Sequence, residues 1–298
     1  MSILTLTPAN WKTYRLIDSG GFEKLEKFGD YIVARPEPQA VWDKSLPEEE
    51  WERQAMAMFK RERSADKASE KGEWHTKKGM PDRWWMNYSY DEMQLEFKMS
   101  LSSFKHVGVF PEQAANWDFI YDKTRALDVP TPRVLNLFAY TGIASLAAKS
   151  AGADVTHVDS VKQVITWSRE NMEASKLDNI RWVVEDAFKY VKREAKRGSI
   201  YQGIILDPPA YGRGPEGEKW ILEDQINELL KMCSQLLDKK QHFFVLNLYS
   251  MGFSSLIVDN LVANAFGKVQ NPESGELYLG DQHGKKLPLG IFFRFASV

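Results

Sequence analysis

The residues able to do chemistry in this chain collect where apolar runs stop. Val134-Leu135-Asn136-Leu137-Phe138-Ala139-Tyr140-Thr141-Gly142 passes from a strand-like run through a glycine turn into an alanine-rich helix. The run Val155 to Val158 ends in Asp159, and Ile204-Ile205-Leu206 ends in Asp207-Pro208-Pro209-Ala210-Tyr211. In an open parallel sheet a ligand lies across the carboxyl ends of the strands at the point where strand order reverses, so these ends are expected to meet in one crevice. Strand, glycine turn and helix together make a cradle for a nucleotide-containing cofactor.

Which cofactor follows from the turn. A dinucleotide site needs several glycines so that backbone amides can approach a pyrophosphate at the helix N-terminus. Only Gly142 is present, and Phe138, Ala139, Tyr140 and Ile143 stand where a pyrophosphate wants small residues. S-adenosyl-L-methionine, with no phosphate, fits better. Asn136, Phe138, Ala139, Tyr140, Thr141 and Gly142 are therefore assigned to its cradle. Asp159, with Ser160 beside it, is placed to meet the ribose hydroxyls, the alternative being that the pair caps the helix from Val161 to Ser175. Asp186 and Ala187 offer a carboxylate and an amide to an adenine, and Asp186 can equally cap the helix from Ala187 to Arg197. Beyond the third strand end, two prolines cannot donate amide hydrogens, which leaves the Asp207 and Pro208 carbonyls as rigid acceptors. Such acceptors suit an amino group awaiting a methyl, and Tyr211 can stack on a planar base. Asp207, Pro208 and Tyr211 are thus the expected catalytic residues. The plainer reading of that motif is a turn before a flexible Gly212-Arg213-Gly214-Pro215 loop.

These motifs resemble the class I S-adenosylmethionine-dependent methyltransferases. Within them the chain is similar to the bacterial 23S ribosomal RNA methyltransferases that include the cytosine-C5 enzymes. The likeness runs from Ser103 to Met251 and includes Phe104-Lys105-His106-Val107-Gly108-Val109-Phe110-Pro111-Glu112-Gln113, which adds Phe110 to the cofactor residues. The resemblance implies a nucleophilic cysteine after the fifth strand. This chain reads Leu248-Tyr249-Ser250-Met251-Gly252 there, with Ser250 at that position. The single cysteine, Cys233, shares helical spacing with Ile226, Leu229, Leu230, Leu236 and Leu237, which predicts a packed and unreactive thiol. The expected reaction is therefore direct in-line transfer to a nitrogen of a ribosomal RNA base. Asn247 and Tyr249 are candidates for the acceptor side, and Lys105 and His106 are weaker ones. Competing readings are a protein or small-molecule acceptor, and a non-catalytic RNA-binding assembly factor that keeps the cofactor site.

The elements that must position these residues follow from periodicity. From Gln113 onward, strands and helices alternate strictly: strands at Arg133 to Leu137, Asp154 to Val158, Ile180 to Val184, Tyr201 to Leu206 and His242 to Leu248, with helices between them. That pattern specifies an α/β fold, a doubly wound Rossmann-like sheet. Glu276 to Leu279 and Ile291 to Phe295 read as an antiparallel hairpin added at the sheet edge. Residues 1–110 are expected to form a small, mostly β subdomain ahead of a methyltransferase domain at 111–298. Within it, Glu48 to Glu62 reads as a helix with Trp51, Ala55, Met58 and Phe59 on one face. Trp74, Trp84, Trp85, Tyr88 and Tyr90 read as subdomain core, or, with Lys77, Lys78 and Arg83, as a stacking platform for RNA. In 298 residues the formal charge is −2, which gives no broad basic field. No signal peptide or membrane span is visible, and one cysteine suits a reducing compartment, so a cytoplasmic protein with no metal is expected.

Overall fold

The computed structural model describes residues 3–61, 72–249 and 252–298; Ser250 and Met251 lie outside the described residues. The chain opens with β1 (Leu4–Leu6), β2 (Tyr14–Gly20), β3 (Glu23–Phe28), β4 (Tyr31–Pro36), α1 (Glu48–Gln54), β5 (Ala57–Arg61), β6 (Gly72–Thr76), β7 (Arg83–Tyr90) and β8 (Met93–Ser100). A 3-10 turn, Pro111–Gln113, leads into α2 (Ala114–Ala126). Then come β9 (Arg133–Leu137), α3 (Ile143–Ser150), β10 (Asp154–Asp159), α4 (Lys162–Ala174), β11 (Arg181–Val184), α5 (Ala187–Arg197) and β12 (Gly203–Leu206). The remainder is β13 (Tyr211–Arg213), β14 (Lys219–Ile221), α6 (Leu222–Leu236), β15 (His242–Leu248), α7 (Ser255–Phe266), β16 (Glu273–Gly280) and β17 (Lys286–Ser297).

The main sheet has eight strands in the order β1-β16-β17-β15-β12-β9-β10-β11. From β15 to β11 all neighbours are parallel, and the order reverses between β9 and β12, which opens the crevice where the sequence reading places it. Alternate residues of β9 enter different cores. Val134 packs with α2 and α3 residues such as Ile120 and Leu146, while Leu135 and Leu137 pack with Tyr190, Leu229 and Val258 from α5, α6 and α7. Helices thus cover both faces, the doubly wound arrangement.

Three elements differ in detail from the periodicity. The helix from Glu48 stops at Gln54, and Ala57–Arg61 is a strand that pairs with β4 and β6. Sheet pairing there overrides a helical spacing that Met58 and Phe59 only mimic, because strand and helix periods are hard to separate over a few residues. The terminal hairpin sits one strand in from the edge, since β1 pairs in parallel with β16. Gly275 makes that possible: a Cβ there would lie 1.8 Å from the Leu4 carbonyl oxygen. The glycine-rich segment after Tyr211 is also a structured ribbon, β13 against β14.

Ahead of the main sheet, β2 to β6 form a five-stranded sheet and β7–β8 a two-stranded ribbon. Trp11, Tyr88 and Phe97 meet Trp117 of α2 at ring separations of 5.3 to 6.3 Å, so this region shares a core with the main sheet's helices. Of the aromatics considered for an RNA platform, Trp84 and Tyr88 are buried, Trp74 and Tyr90 are partly buried, and Trp85 is exposed. Among the described residues no helix is long and apolar enough to cross a membrane.

A polar clasp fixes the smaller sheet to the terminal hairpin. Buried Asp18 accepts hydrogen bonds from the Ser45 and Leu46 amides, from Trp51 Nε1 at 2.9 Å and from Lys285 Nζ at 2.9 Å. Burial alone would push its carboxyl up, but the Leu46 amide, Lys285, Trp51 and the Ser45 amide outweigh it and hold it at about 2. Asp18→Ala takes the buried acceptor from the Trp51 indole and from the Ser45 and Leu46 amides, while Lys285 keeps the Ser19 and Asp43 carbonyls, and is expected to cost about 3 kcal/mol. A carboxyl held below its ordinary value stabilises the fold above that value and loses the effect on protonation. The wild-type advantage in urea unfolding should therefore be full above about pH 4 and shrink as the pH falls toward 2.

Candidate functional site

The turn after β9 is the most constrained backbone near the crevice. Phe138, Tyr140 and Gly142 have φ of 55°, 48° and 86°. The two non-glycine residues each cost about 1 to 3 kcal/mol in such a conformation, and only surrounding bonds can hold them there. Asp159 supplies the main one: its Oδ2 accepts the Tyr140 amide at 2.9 Å, while Oδ1 accepts the Val161 amide at 2.9 Å. The Tyr140 carbonyl accepts Ser168 Oγ, the Thr141 carbonyl accepts Asn171 Nδ2, and Thr141 Oγ1 donates to the Gly108 carbonyl. At Gly142 a Cβ would sit 3.2 Å from both His157 Cε1 and Ser168 Cβ, in a backbone conformation that side chains rarely adopt.

Under the turn, Asn136 Nδ2 donates to Ser145 Oγ, which contacts His157 Nδ1 at 3.0 Å. Burial pushes the imidazole down to about 3 and keeps it neutral at this post. Asn136, Ala139, Thr141 and Gly142 line a small space of about 60 Å³ behind the turn. They form the support of the crevice and do not line its large cavity.

That cavity, of about 920 Å³, is bordered by Phe110, Phe138, Tyr140, Asp159, Ser160, Asp186, Ala187, Asp207, Pro208 and Tyr211, all expected there from the sequence. Asp186 also caps α5, with Oδ1 accepting the Lys189 amide at 2.8 Å, so the capping alternative holds alongside its place in the cavity. Asp207 is clamped: Oδ1 accepts Asn247 Nδ2 at 2.8 Å and Oδ2 accepts Gln113 Nε2 at 3.4 Å. Burial pushes its carboxyl up to about 6, against the opposing pull of Asn247. Trp220 Nε1 donates to the Pro209 carbonyl at 2.7 Å and its ring packs 4.9 Å from Phe138, joining the β13–β14 ribbon to the β9 turn. Tyr211 lies half exposed at the mouth, its hydroxyl accepting Arg213 Nε.

The far wall carries charges that strand-end logic did not find. Lys24 on β3, Arg35 on β4, and Glu37, Lys105 and Glu112 are all buried and all line the cavity. Arg35 forks onto Glu26 through Nε at 2.5 Å and Nη2 at 3.1 Å; Lys24 Nζ lies 3.1 Å from Glu37 Oε2. Glu37 Oε1 accepts the Tyr249 hydroxyl at 2.7 Å, which ties the smaller sheet to the end of β15. Burial would raise the Glu26 and Glu37 carboxyls, but Arg35 with Lys24 in the first case, and Lys24 with Tyr249 in the second, hold both below their ordinary value. Lys24, Arg35 and Glu37 give no local signal, since lysine, arginine and glutamate in a short strand read as a solvated face. Glu112 and Gln113 did lie inside the stretch carrying the family resemblance.

The residues present fit S-adenosylmethionine: Asp159, anchored by the Tyr140 and Val161 amides, borders a cavity of about 920 Å³ whose wall also holds the aromatic rings of Phe110, Phe138 and Tyr140 and the Asp186 carboxylate. Comparison with known proteins agrees. Residues 114–239 match the family described as "Conserved hypothetical protein 95". A solved S-adenosylmethionine-dependent methyltransferase from Agrobacterium tumefaciens is 37% identical, covers 100% of this chain and 95% of its own, and superposes with a TM-score of 0.90. A putative methyltransferase solved with S-adenosylhomocysteine shares the fold, at a TM-score of 0.72 and 18% identity over 96% of this chain and 76% of that one. Among curated proteins, "Ribosomal RNA large subunit methyltransferase K/L" of Shewanella frigidimarina is 28% identical over 49% of this chain and 20% of its own length. "Ribosomal RNA large subunit methyltransferase I" of Escherichia coli O139:H28 is 35% identical over 28% of this chain and 22% of its own. The chain thus spans about a fifth of the length of the curated relatives it matches.

A hydrogen bond to a charged acceptor contributes about 1.5 to 3 kcal/mol. Asp159→Ala is therefore expected to weaken S-adenosylhomocysteine binding by about ten- to a hundredfold in calorimetric titration.

Proposed function

The chain belongs to the S-adenosylmethionine-dependent methyltransferases, and we propose that it acts in the cytoplasm to methylate a nitrogen of a ribosomal RNA base by direct in-line transfer. One observation carries the reading: Asp207, clamped by Asn247 and Gln113, borders the same cavity as Asp159 and Asp186. In this reading Asp159 takes the ribose hydroxyls, Asp186 and the Ala187 amide take the adenine edge, and Phe110, Phe138 and Tyr140 wall the cofactor in. The bound cofactor supplies an electrophilic methyl on a sulfonium. The protein's part is geometry: the Asp207 carboxylate and Pro208 carbonyl orient the acceptor amine, and Tyr211 at the mouth stacks on its ring. Holding two reactants in line can lower the barrier by several kcal/mol.

A covalent cysteine route is disfavoured by the chain's own thiol. Cys233 is its only cysteine, lies buried in α6 among Leu229, Leu230 and Leu236, and does not line the cavity. Burial pushes its pKa far up, leaving no useful thiolate. The ribosomal acceptor is favoured by the named substrates of the curated relatives, and the open, half-exposed aromatic at the mouth suits a base presented from a large RNA. Residues 1–110 are the proposed acceptor-selecting subdomain and residues 111–298 the cofactor-binding one, with β1 lent to the edge of the larger sheet.

Isotopically labelled methyl from S-adenosylmethionine, offered with undermodified large ribosomal subunits, naked ribosomal RNA and a protein extract, checks the proposal through nucleoside and peptide mass spectrometry. Label on a nitrogen of one RNA nucleoside is expected. Label on a pyrimidine carbon, or only in protein, would overturn it.

A further inference from the structure

Transfer of a methyl to a neutral N–H or amino nitrogen leaves one proton to dispose of, and Asp207, whose oxygens accept the Asn247 and Gln113 amides, is already assigned to orienting the acceptor amine. The carboxyl next to Gln113 in the chain is differently placed. Glu112, on the 3-10 turn immediately before Gln113, is 4% exposed, lines the cavity, and keeps Oε2 without a hydrogen-bond partner. An unpartnered buried carboxyl oxygen is costly unless something uses it. We propose that Glu112 is the proton acceptor of the reaction, a catalytic role that rests on the methyl-transfer reading above. The nitrogen lone pair forms the N–CH₃ bond, the S–CH₃ bond breaks with its electron pair going to sulfur, and the displaced N–H proton passes to the Glu112 carboxylate.

The surroundings tune the group for this work. Burial raises its carboxyl most, Lys24 on β3 and Arg35 on β4 pull it down, Glu37 after β4 pushes it up again, and the balance stands at about 7. Tyr14 on β2 and Tyr249 after β15 face the same group as neutral hydroxyls, their own ionisation disfavoured by burial and by the carboxylates around them. A base that titrates near working pH combines a useful ionised fraction with adequate basicity. The fixed ion pairs of Lys24 with Glu37 and Arg35 with Glu26 thereby set the field in which Glu112 ionises.

Glu112→Gln keeps shape and hydrogen-bonding reach while abolishing the base. In the wild type, kcat/KM for the methylated acceptor is expected to rise with pH through a midpoint near 7, as Glu112 ionises. The variant should lose that rise and about a hundredfold in kcat, with S-adenosylhomocysteine affinity changed by no more than about threefold. Glu112→Asp should restore the rise in part. An infrared difference spectrum, wild type minus Glu112→Gln, should contain a protonated-carboxyl band that disappears as the pH climbs through the same midpoint, and this readout needs no turnover. Retention of the pH rise in Glu112→Gln, or absence of the titrating band, would overturn the role. So would loss of S-adenosylhomocysteine binding in the variant, which would make Glu112 a cofactor-holding residue. If the band titrates but no nitrogen acceptor is ever methylated, the functional reading fails on its own, and the proton-acceptor role falls with it.

Discussion

Everything at the crevice depends on how Asp159 ties the end of β10 to the turn after β9. That turn holds Phe138 and Tyr140 in left-handed backbone conformations that neither would adopt freely. The Asp159 carboxylate, receiving the Tyr140 and Val161 amides on separate oxygens, supplies the bonds that make the conformation persist. Two neighbouring elements of the parallel sheet, β9 and β10, are thereby fixed against each other beside the place where strand order reverses. The same carboxylate, fixed in place at the cavity wall, is then the proposed partner for a diol. Fold stability and ligand recognition draw on one group. Its burial raises the pKa, with the Val161, Tyr140 and Ser160 amides acting in the other direction.

On the opposite wall the logic is electrostatic. A small sheet brings Lys24, Arg35 and Glu37 to buried positions on the cavity wall, where unpaired charges would be expensive. They are tolerated because they are paired: Arg35 with Glu26, Lys24 with Glu37, and Glu37 again with the Tyr249 hydroxyl. The pairing spans the smaller sheet and the end of β15, so the wall and the sheet end carrying Asp207 are held in one frame. The Asp18 clasp to Lys285 does the same at the other side of the small sheet. A cavity built this way has two walls of different character, one shaped by backbone geometry and one by buried charge.

How much of this was legible in the sequence depends on how local each cause is. The parallel strands and the carboxylates that end β10 and β12 were legible, because period and position alone put Asp159 and Asp207 at one edge of one sheet. Asp186 was legible in both its possible roles, and it occupies both positions, capping α5 while lining the cavity. Asn136 and Thr141 were grouped with the cradle by adjacency; their side chains turn under it, toward Ser145 and the Gly108 carbonyl. The charged wall was not legible, since nothing local distinguishes Lys24 or Arg35 from a solvated residue until the small sheet is docked. The strand at Ala57–Arg61 was masked for the same reason: its partners, β4 and β6, are distant choices that no short window contains. The β13–β14 ribbon was hidden by glycine and proline, which in that segment shape a tight hairpin closed onto Pro209 by Trp220.

A crystal structure with S-adenosylhomocysteine bound tests the central claim most directly. The account predicts ribose hydroxyls on Asp159, adenine beside Asp186 and Ala187, and the sulfur turned toward Asp207, with the β9 turn unchanged. A ribose held by another carboxylate, or a sulfur facing away from Asp207, would contradict it.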